Sequence, residues 1–168
     1  MTQHEDRETR RVEFAEEFAL AWSATGSARM EGRVLGYLMV MPQPYISLSD
    51  LSKALHASAG STSQSTRHLL EVGFIRRHAV PGDRAYYFKA DEDIWGGWLA
   101  RERGSLPNTQ AILERQLAEL GTSPEDAAAR IRLENGRDYL TWLHGHHHKM
   151  LEEWEAFKAA RDAGRSKT

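Results

Sequence analysis

The sequence predicts a mainly α-helical fold with one small β-hairpin, on three observations. Apolar residues recur at helical spacing along most of the 168-residue chain. One stretch, FIRRHAV-PGD-RAYYFKA (74–90), changes to strand-like alternation on either side of a turn. The elements before that hairpin are three helices separated by clear breakers. With 40% hydrophobic residues the chain can bury a real core, as one domain or as a compact unit with an added dimerisation part.

The first helix is expected at about 8–25, with Phe14, Phe18, Ala21 and Trp22 on one stripe. A break at Gly26–Ser27 leads to RMEGRVLGYLMVM, whose Val34, Leu35, Leu38 and Met41 face inward. Pro42 and Pro44 end it, because neither can continue an internal ladder. In SLSDLSKALHA, Ser47 is a good N-cap, Asp50 can close a capping box, and Leu48, Leu51 and Leu55 supply a buried face. Ser58 can cap a further helix at about 59–72, ending before Gly73. Its inward positions are Thr62, Thr66 and Leu69, which leaves Ser61, Gln64, Ser65 and His68 outward with Arg67 at the flank. Three helices followed by a hairpin is the order of a winged helix-turn-helix domain, placed at 29–90.

DEDIWGGWLARERG then begins a second helical region. TQAILERQLAELG carries Ile112, Leu113, Leu117 and Leu120 on one face. Ser123, Pro124 and Asp126 form a helix start signal, and the later stripe runs through Leu140, Leu143, His147, Met150, Leu151, Trp154 and Phe157. Gly136 and Gly145 argue against one unbroken rod, and the terminal GRSKT is expected to fray. These helices have too much apolar surface for a solvated tail. Residues 1–28 are therefore read as an N-terminal dimerisation segment, and 91–168 as a C-terminal dimerisation and effector-response region.

The net charge of -2 does not advertise nucleic-acid binding, but its distribution does. Residues 1–27 hold three basic and six acidic side chains, residues 28–89 eight and four, and residues 90–168 eleven and fourteen. A basic middle third between acidic flanks suggests a local surface for a polyanion. The helix at 59–72 would enter a DNA major groove. Gln64 could pair with adenine, Arg67 could read guanine or clamp phosphate, and Ser61 and Ser65 would permit close approach. On the hairpin, Arg76 and Arg77 alternate and cannot point the same way, so one is free to reach phosphate while the other packs or pairs. Arg84, beside the turn shaped by Asp83, is the better wing contact.

Other sites are less persuasive. In HGHHHK, His144 and His148 could face a common metal, but Gly145 weakens the helix and no nearby carboxylate completes a three-ligand set. A histidine-rich interface or turn is preferred, and no cofactor is expected. Trp95, Trp98, Trp142 and Trp154 could anchor a dimer seam, or cage an aromatic or quaternary ammonium effector. Glu152, Glu153 and Glu155 fit a solvated face. No HExxH, GxxxxGK[ST] or paired CxxC motif occurs, and there is no cysteine, so an enzyme is not expected. No apolar run reaches the roughly 18–20 residues of a membrane span. The opening MTQHEDRETRR leads into no signal-peptide hydrophobic region, and a cytoplasmic location is expected.

GRVLGYL (32–38), SLSDLSKAL (47–55), AGSTSQSTRHL (59–69), VGFIRR (72–77) and PGDRAYYF (81–88) together resemble the MarR superfamily, and in particular its GbsR-like branch. The resemblance covers about residues 29–95. It implies a homodimeric DNA-binding transcription regulator, with outer helices making the dimer and a winged domain in each subunit. By motif it places Ser61, Ser63, Gln64, Ser65 and Arg67 in the recognition-helix region and Arg84 in the wing. Thr62 and Thr66 stand where such a helix more usually packs aliphatic groups. Some relatives respond to choline or related osmolytes.

The expectation is thus a dimeric, ligand-responsive repressor of a roughly palindromic duplex. A winged-helix module that binds protein instead of DNA is the first alternative, and a metal-dependent domain at residues 144–148 the second.

Overall fold

The computed structural model describes residues 3–102, 106–121 and 123–165, which fall into two compact units, Met1–Ile94 and Trp95–Thr168. The first contains α1 (Gln3–Ser23), α2 (Arg29–Val40), β1 (Ile46–Ser47), α3 (Leu48–Ala54), α4 (Ala59–Val72), β2 (Arg76–His78) and β3 (Tyr87–Lys89). Mainly helical with a small sheet, it has the predicted winged-helix order.

Helices α1 and α2 cross at unusually short range because their facing residues are small. A Cβ built on Gly32 would stand 2.7 Å from the Ala19 Cα and 2.8 Å from the Trp22 Cβ; one on Gly36 would stand 3.0 Å from the Ala15 Cα. Ala15 and Ala19 are fully buried, while Ala21 is exposed and Phe14 is partly so. The buried stripe of α1 is therefore rotated from the expected one: closest approach, rather than side-chain size, selects it. The aromatic residues run along its edge. Phe14, Phe18 and Trp22 stack at 6.1 and 5.8 Å, and Trp22 meets Phe74 edge-on at 5.0 Å.

Val34, Leu35 and Leu38 of α2 are buried as expected, together with Leu51, Leu55 and Leu69. The α3 start matches its sequence signal: Ser47 Oγ accepts from the Asp50 backbone N–H at 3.0 Å and donates to the Asp50 carboxylate at 2.7 Å. Its end is a Schellman arrangement, with the His56 N–H donating to the Lys53 carbonyl and the Ala57 N–H to the Ser52 carbonyl. Glycine normally occupies the left-handed position of such a motif; here His56 holds it, at φ 47°.

The sheet has three strands in the order β1-β3-β2, all antiparallel. The sequence predicted two. The added strand is only Ile46–Ser47, paired with Phe88 and Tyr87, and is too short to show alternation after the Pro42–Pro44 segment. The wing turn closes with the Asp83 N–H on the Val80 carbonyl at 3.1 Å; Gly82, at φ 83°, supplies the positive dihedral that a Pro-Gly type II turn needs.

The second unit contains α5 (Ile94–Glu102), α6 (Leu106–Glu119), a short 3-10 turn at Pro124–Asp126 and α7 (Ala127–Arg165). Contrary to expectation α7 is one continuous helix of 39 residues, about 58 Å long. Its glycines are accommodated differently: Gly136 gives room to the Leu113 side chain, and Gly145 faces open space. Ser123 does not cap a backbone N–H; its hydroxyl donates to the Asp126 carboxylate at 3.1 Å. Arg130 closes α6 instead, donating to the Leu120 and Gly121 carbonyls. Along α7 only His147 is buried, and Met150 and Phe157, expected inward, are exposed, as is Ile112 of α6. Of the expected frayed end, Gly164 and Arg165 remain helical or exposed, and the last three residues lie outside the described ones.

Gly32→Ala is expected to lower unfolding free energy by about 1–3 kcal/mol, because overpacking against backbone outweighs the roughly 1 kcal/mol gain in helix propensity. Gly36→Ala, with a longer approach, should cost less. Urea denaturation of the two variants checks the order.

Candidate nucleic-acid interface

Helix α4 is built for close approach. Ser58 caps it by accepting from the Ser61 N–H at 3.1 Å, and Gly73 in the left-handed conformation ends it. Its buried residues are Thr62, Ser65, Thr66 and Leu69, which is the i, i+3, i+4, i+7 stripe of an amphipathic helix. Thr62 and Thr66 thus lie inward as expected. Ser65 does not lie on the outer face: at 5% exposure it belongs to the core, because the inward arc includes the i+3 position that the predicted stripe omitted. Ser61, Gln64, Arg67 and His68 are exposed and Ser63 is half-buried. The buried threonine hydroxyls are satisfied locally, Thr62 by the Ser58 carbonyl and Thr66 by the Ser63 carbonyl, each at 3.0 Å.

His68 has a second engagement. Its Nδ1 lies 2.8 Å from Glu31 Oε1, and Glu31 is buried on α2. The imidazole therefore ties α4 to α2 as well as facing solvent.

On the wing the three arginines separate. Arg76 pairs with Asp91, which Lys89 also approaches at 3.7 Å. Arg77 lies over the Tyr86 ring, 5.0 Å from its centroid. Arg84, at the tip, has no side-chain ion pair among the described residues. Asp83 organises that tip by accepting from the Ala85 N–H at 2.8 Å and from the Tyr87 hydroxyl at 2.7 Å. Those two donors hold the Asp83 carboxyl below its ordinary pKa, and the same carboxylate raises that of the Tyr87 phenol. Tyr45 braces the hairpin, stacking on His78 at 4.1 Å and meeting Tyr87 edge-on at 5.3 Å.

Between α3, the start of α4 and the wing runs a groove of about 820 Å³, lined in part by Ser49, Lys53, His56, Ala59 and Tyr86. Sequence reasoning overlooked Lys53, His56 and Tyr86. The first could have been found on the face of α3 opposite Leu51 and Leu55. The others needed the wing folded beside the helix turn.

In the second unit, Trp95, Trp98 and Trp154 join Leu99 and Met150 around an apolar pocket of about 350 Å³. Trp142 is not part of it; exposed on α7, it lies 5.9 Å from Tyr139 and 4.2 Å from His146. His148 Nε2 lies 3.1 Å from Glu152, and among the described residues no three His, Asp or Glu side chains gather at one point. His144 is half-buried, one turn away from it along α7. Among the described residues no helix is long and apolar enough to cross a membrane.

The fold is that of a winged-helix protein. The MarR family model matches residues 26–85. Over 132 residues, 79% of each protein, the chain is 31% identical to the HTH-type transcriptional regulator MmpR5 of Mycobacterium tuberculosis (strain ATCC 25618 / H37Rv). A crystal structure described as that of a transcriptional regulator superposes with a TM-score of 0.75 at 29% identity, covering 86% of this chain and 97% of the other. The chain belongs to the MarR family of DNA-binding, winged-helix transcription regulators.

Two local outcomes are expected. His56→Gly should stabilise the fold by about 1 kcal/mol by relieving the left-handed backbone, as thermal denaturation would reveal. Because the folded Asp83 pKa is depressed, the order it contributes is present above the unfolded value near 4 and is lost as pH falls through the folded one. The protection factor of the Ala85 amide (its intrinsic rate at each pH divided by the rate observed by NMR) should therefore fall on acidification in the native protein and stay flat with pH in Asp83→Ala.

Proposed function

We propose that the chain is a homodimeric, sequence-specific repressor of the GbsR-like branch, which inserts α4 into the DNA major groove and lays its wing alongside. One observation carries this reading. Of the eight basic side chains in residues 28–89, six are engaged: Arg29 and Arg33 by Glu16, Lys53 by Asp50, Arg76 and Lys89 by Asp91, and Arg77 by Tyr86. Arg67 and Arg84 have no such partner among the described residues, and they stand on the recognition helix and at the wing tip. Gln64 and Ser61 share the outer face with Arg67 and supply base-edge hydrogen bonding. Ser49 and His56 line the groove beside α3 and offer further phosphate contacts there.

Dimerisation is supported by α7. Ile131, Tyr139, Trp142, Met150 and Phe157 are all exposed and fall within an arc of about 100° on its surface. A second copy covering that stripe would bring two copies of α4 into one assembly. The Trp95–Trp98–Trp154 pocket is the proposed effector site. Lys158 lies 5.8 Å from the Trp154 ring centroid, so a cation already takes part of that aromatic surface, which favours an aromatic effector over a quaternary ammonium one.

Selection from a randomised duplex library should enrich a site with two half-sites. Gln64→Ala and Arg67→Ala should each cost roughly 1–3 kcal/mol of discrimination at one position of the half-site. Arg84→Ala should weaken all sequences alike and reduce the salt slope by about one. Absence of enrichment at both low and moderate salt would defeat the reading. Separately, Trp142→Glu should shift the mass in light scattering from dimer towards monomer while helical content is retained.

A further inference from the structure

We infer that Arg33 is a positioning residue for DNA recognition, a forked strut that fixes the turn between α3 and α4 from the α1–α2 pair without touching DNA. The inference rests on the DNA-reading assignment of α4. Arg33 is only 20% exposed, and its guanidinium is shared among three elements. Its Nε donates to Glu16 Oε1 on α1 at 2.6 Å, and its Nη2 donates to the Leu55 carbonyl at the end of α3, also at 2.6 Å. The other Glu16 oxygen accepts from Arg29 at 3.0 Å, so the carboxylate is itself held from α2 at two points.

The carbonyl that Arg33 takes is one the turn leaves over. The Schellman bonds use the Ser52 and Lys53 carbonyls, and Leu55 is the fully buried residue just before the left-handed His56. A non-glycine residue in that conformation persists only where its surroundings over-determine it. The Arg33 bond is the constraint applied from outside the turn. Three residues later Ser58 caps α4, so the rotation set at Leu55–His56 passes directly into the direction of the recognition helix. Lysine is not equivalent here: its three donors share one freely rotating nitrogen, while the planar fork of arginine directs separate nitrogens to Glu16 and to the Leu55 carbonyl in fixed directions.

The test compares wild type with Arg33→Lys, Arg33→Met and Glu16→Gln, using the selected operator duplex and a scrambled duplex of equal length. Fluorescence anisotropy at several salt concentrations gives both affinities and the salt slope, and native-state amide exchange reads the His56 and Ala57 amides. The expected result for Arg33→Lys is a roughly tenfold loss of the specific-to-nonspecific ratio, comparable to losing one good base contact. Nonspecific affinity and salt slope should stay as in wild type, because no phosphate contact is removed. Exchange at His56 and Ala57 should quicken at least roughly tenfold, with α7 amides unchanged.

Glu16→Gln keeps an acceptor for Nε and should show the same pattern more weakly; it serves if Arg33→Met does not fold. A ratio within about twofold of wild type in folded Arg33→Lys, or equal losses on both duplexes with a changed slope, would overturn the inference. If wild type selects no operator, the DNA-reading assignment fails, and the exchange measurement still decides whether Arg33 fixes the turn: unchanged protection at His56 and Ala57 refutes it.

Discussion

The close crossing of α1 and α2 is the constraint on which the first unit depends. With no side chain at Gly32 and Gly36, the backbone of α1 comes near enough for its polar residues to bond side chains of α2. Glu16 meets Arg33, and Glu8 accepts a hydrogen bond from the Tyr37 hydroxyl while pairing with Arg11. Burial, then the Glu8 carboxylate, push the Tyr37 phenol far above the ordinary tyrosine range, so it remains a donor at any physiological pH. Trp22 reaches Phe74 at the point where α4 gives way to the wing. Larger residues at the crossing would move every one of these contacts outward together.

Helix α4 shows a related economy. Its inner face carries hydroxyls where leucine or valine would bury more apolar area. Thr62, Ser65 and Thr66 leave the anchoring to Leu69 within α4 and to Leu51 and Leu55 across from it. Because the two threonine hydroxyls bond to carbonyls of their own helix, they need no partner from a neighbouring element.

What the sequence made legible was whatever is written in local chemistry. Caps at Ser47 and Ser58, breakers at Pro42 and Gly73, and the Pro-Gly-Asp turn placed α2 to α4 within a residue or two and the hairpin strands within three. What escaped depended on distance in three dimensions. Ala15 and Ala19 carry little hydrophobic signal beside Phe14 and Phe18, yet they form the contact face, because a crossing this tight admits only small residues. Ser65 escaped for the converse reason: a polar residue reads as outward unless the full i, i+3, i+4, i+7 stripe is imposed. Gly136 and Gly145 look like breaks in sequence, but neither interrupts α7: Gly136 accommodates a neighbour and Gly145 meets nothing.

Charge was the least transferable signal, and the structure explains why. A count of eight basic against four acidic residues in the middle third treats every cation as available. Asp91, outside that window, binds two of them, and Glu16, on the far side of it, binds two more. The acidic flanks that seemed to oppose polyanion binding are thus partly spent in holding the basic segment in shape. Neutralising the cations at the sheet base and the helix crossing removes positive potential from those surfaces. It leaves that potential on α4 and at the wing tip, where the proposed DNA reading places its contacts. A modest, localised excess of charge therefore serves orientation better than a uniformly basic domain, which is how a protein of net charge -2 can present a DNA-binding face.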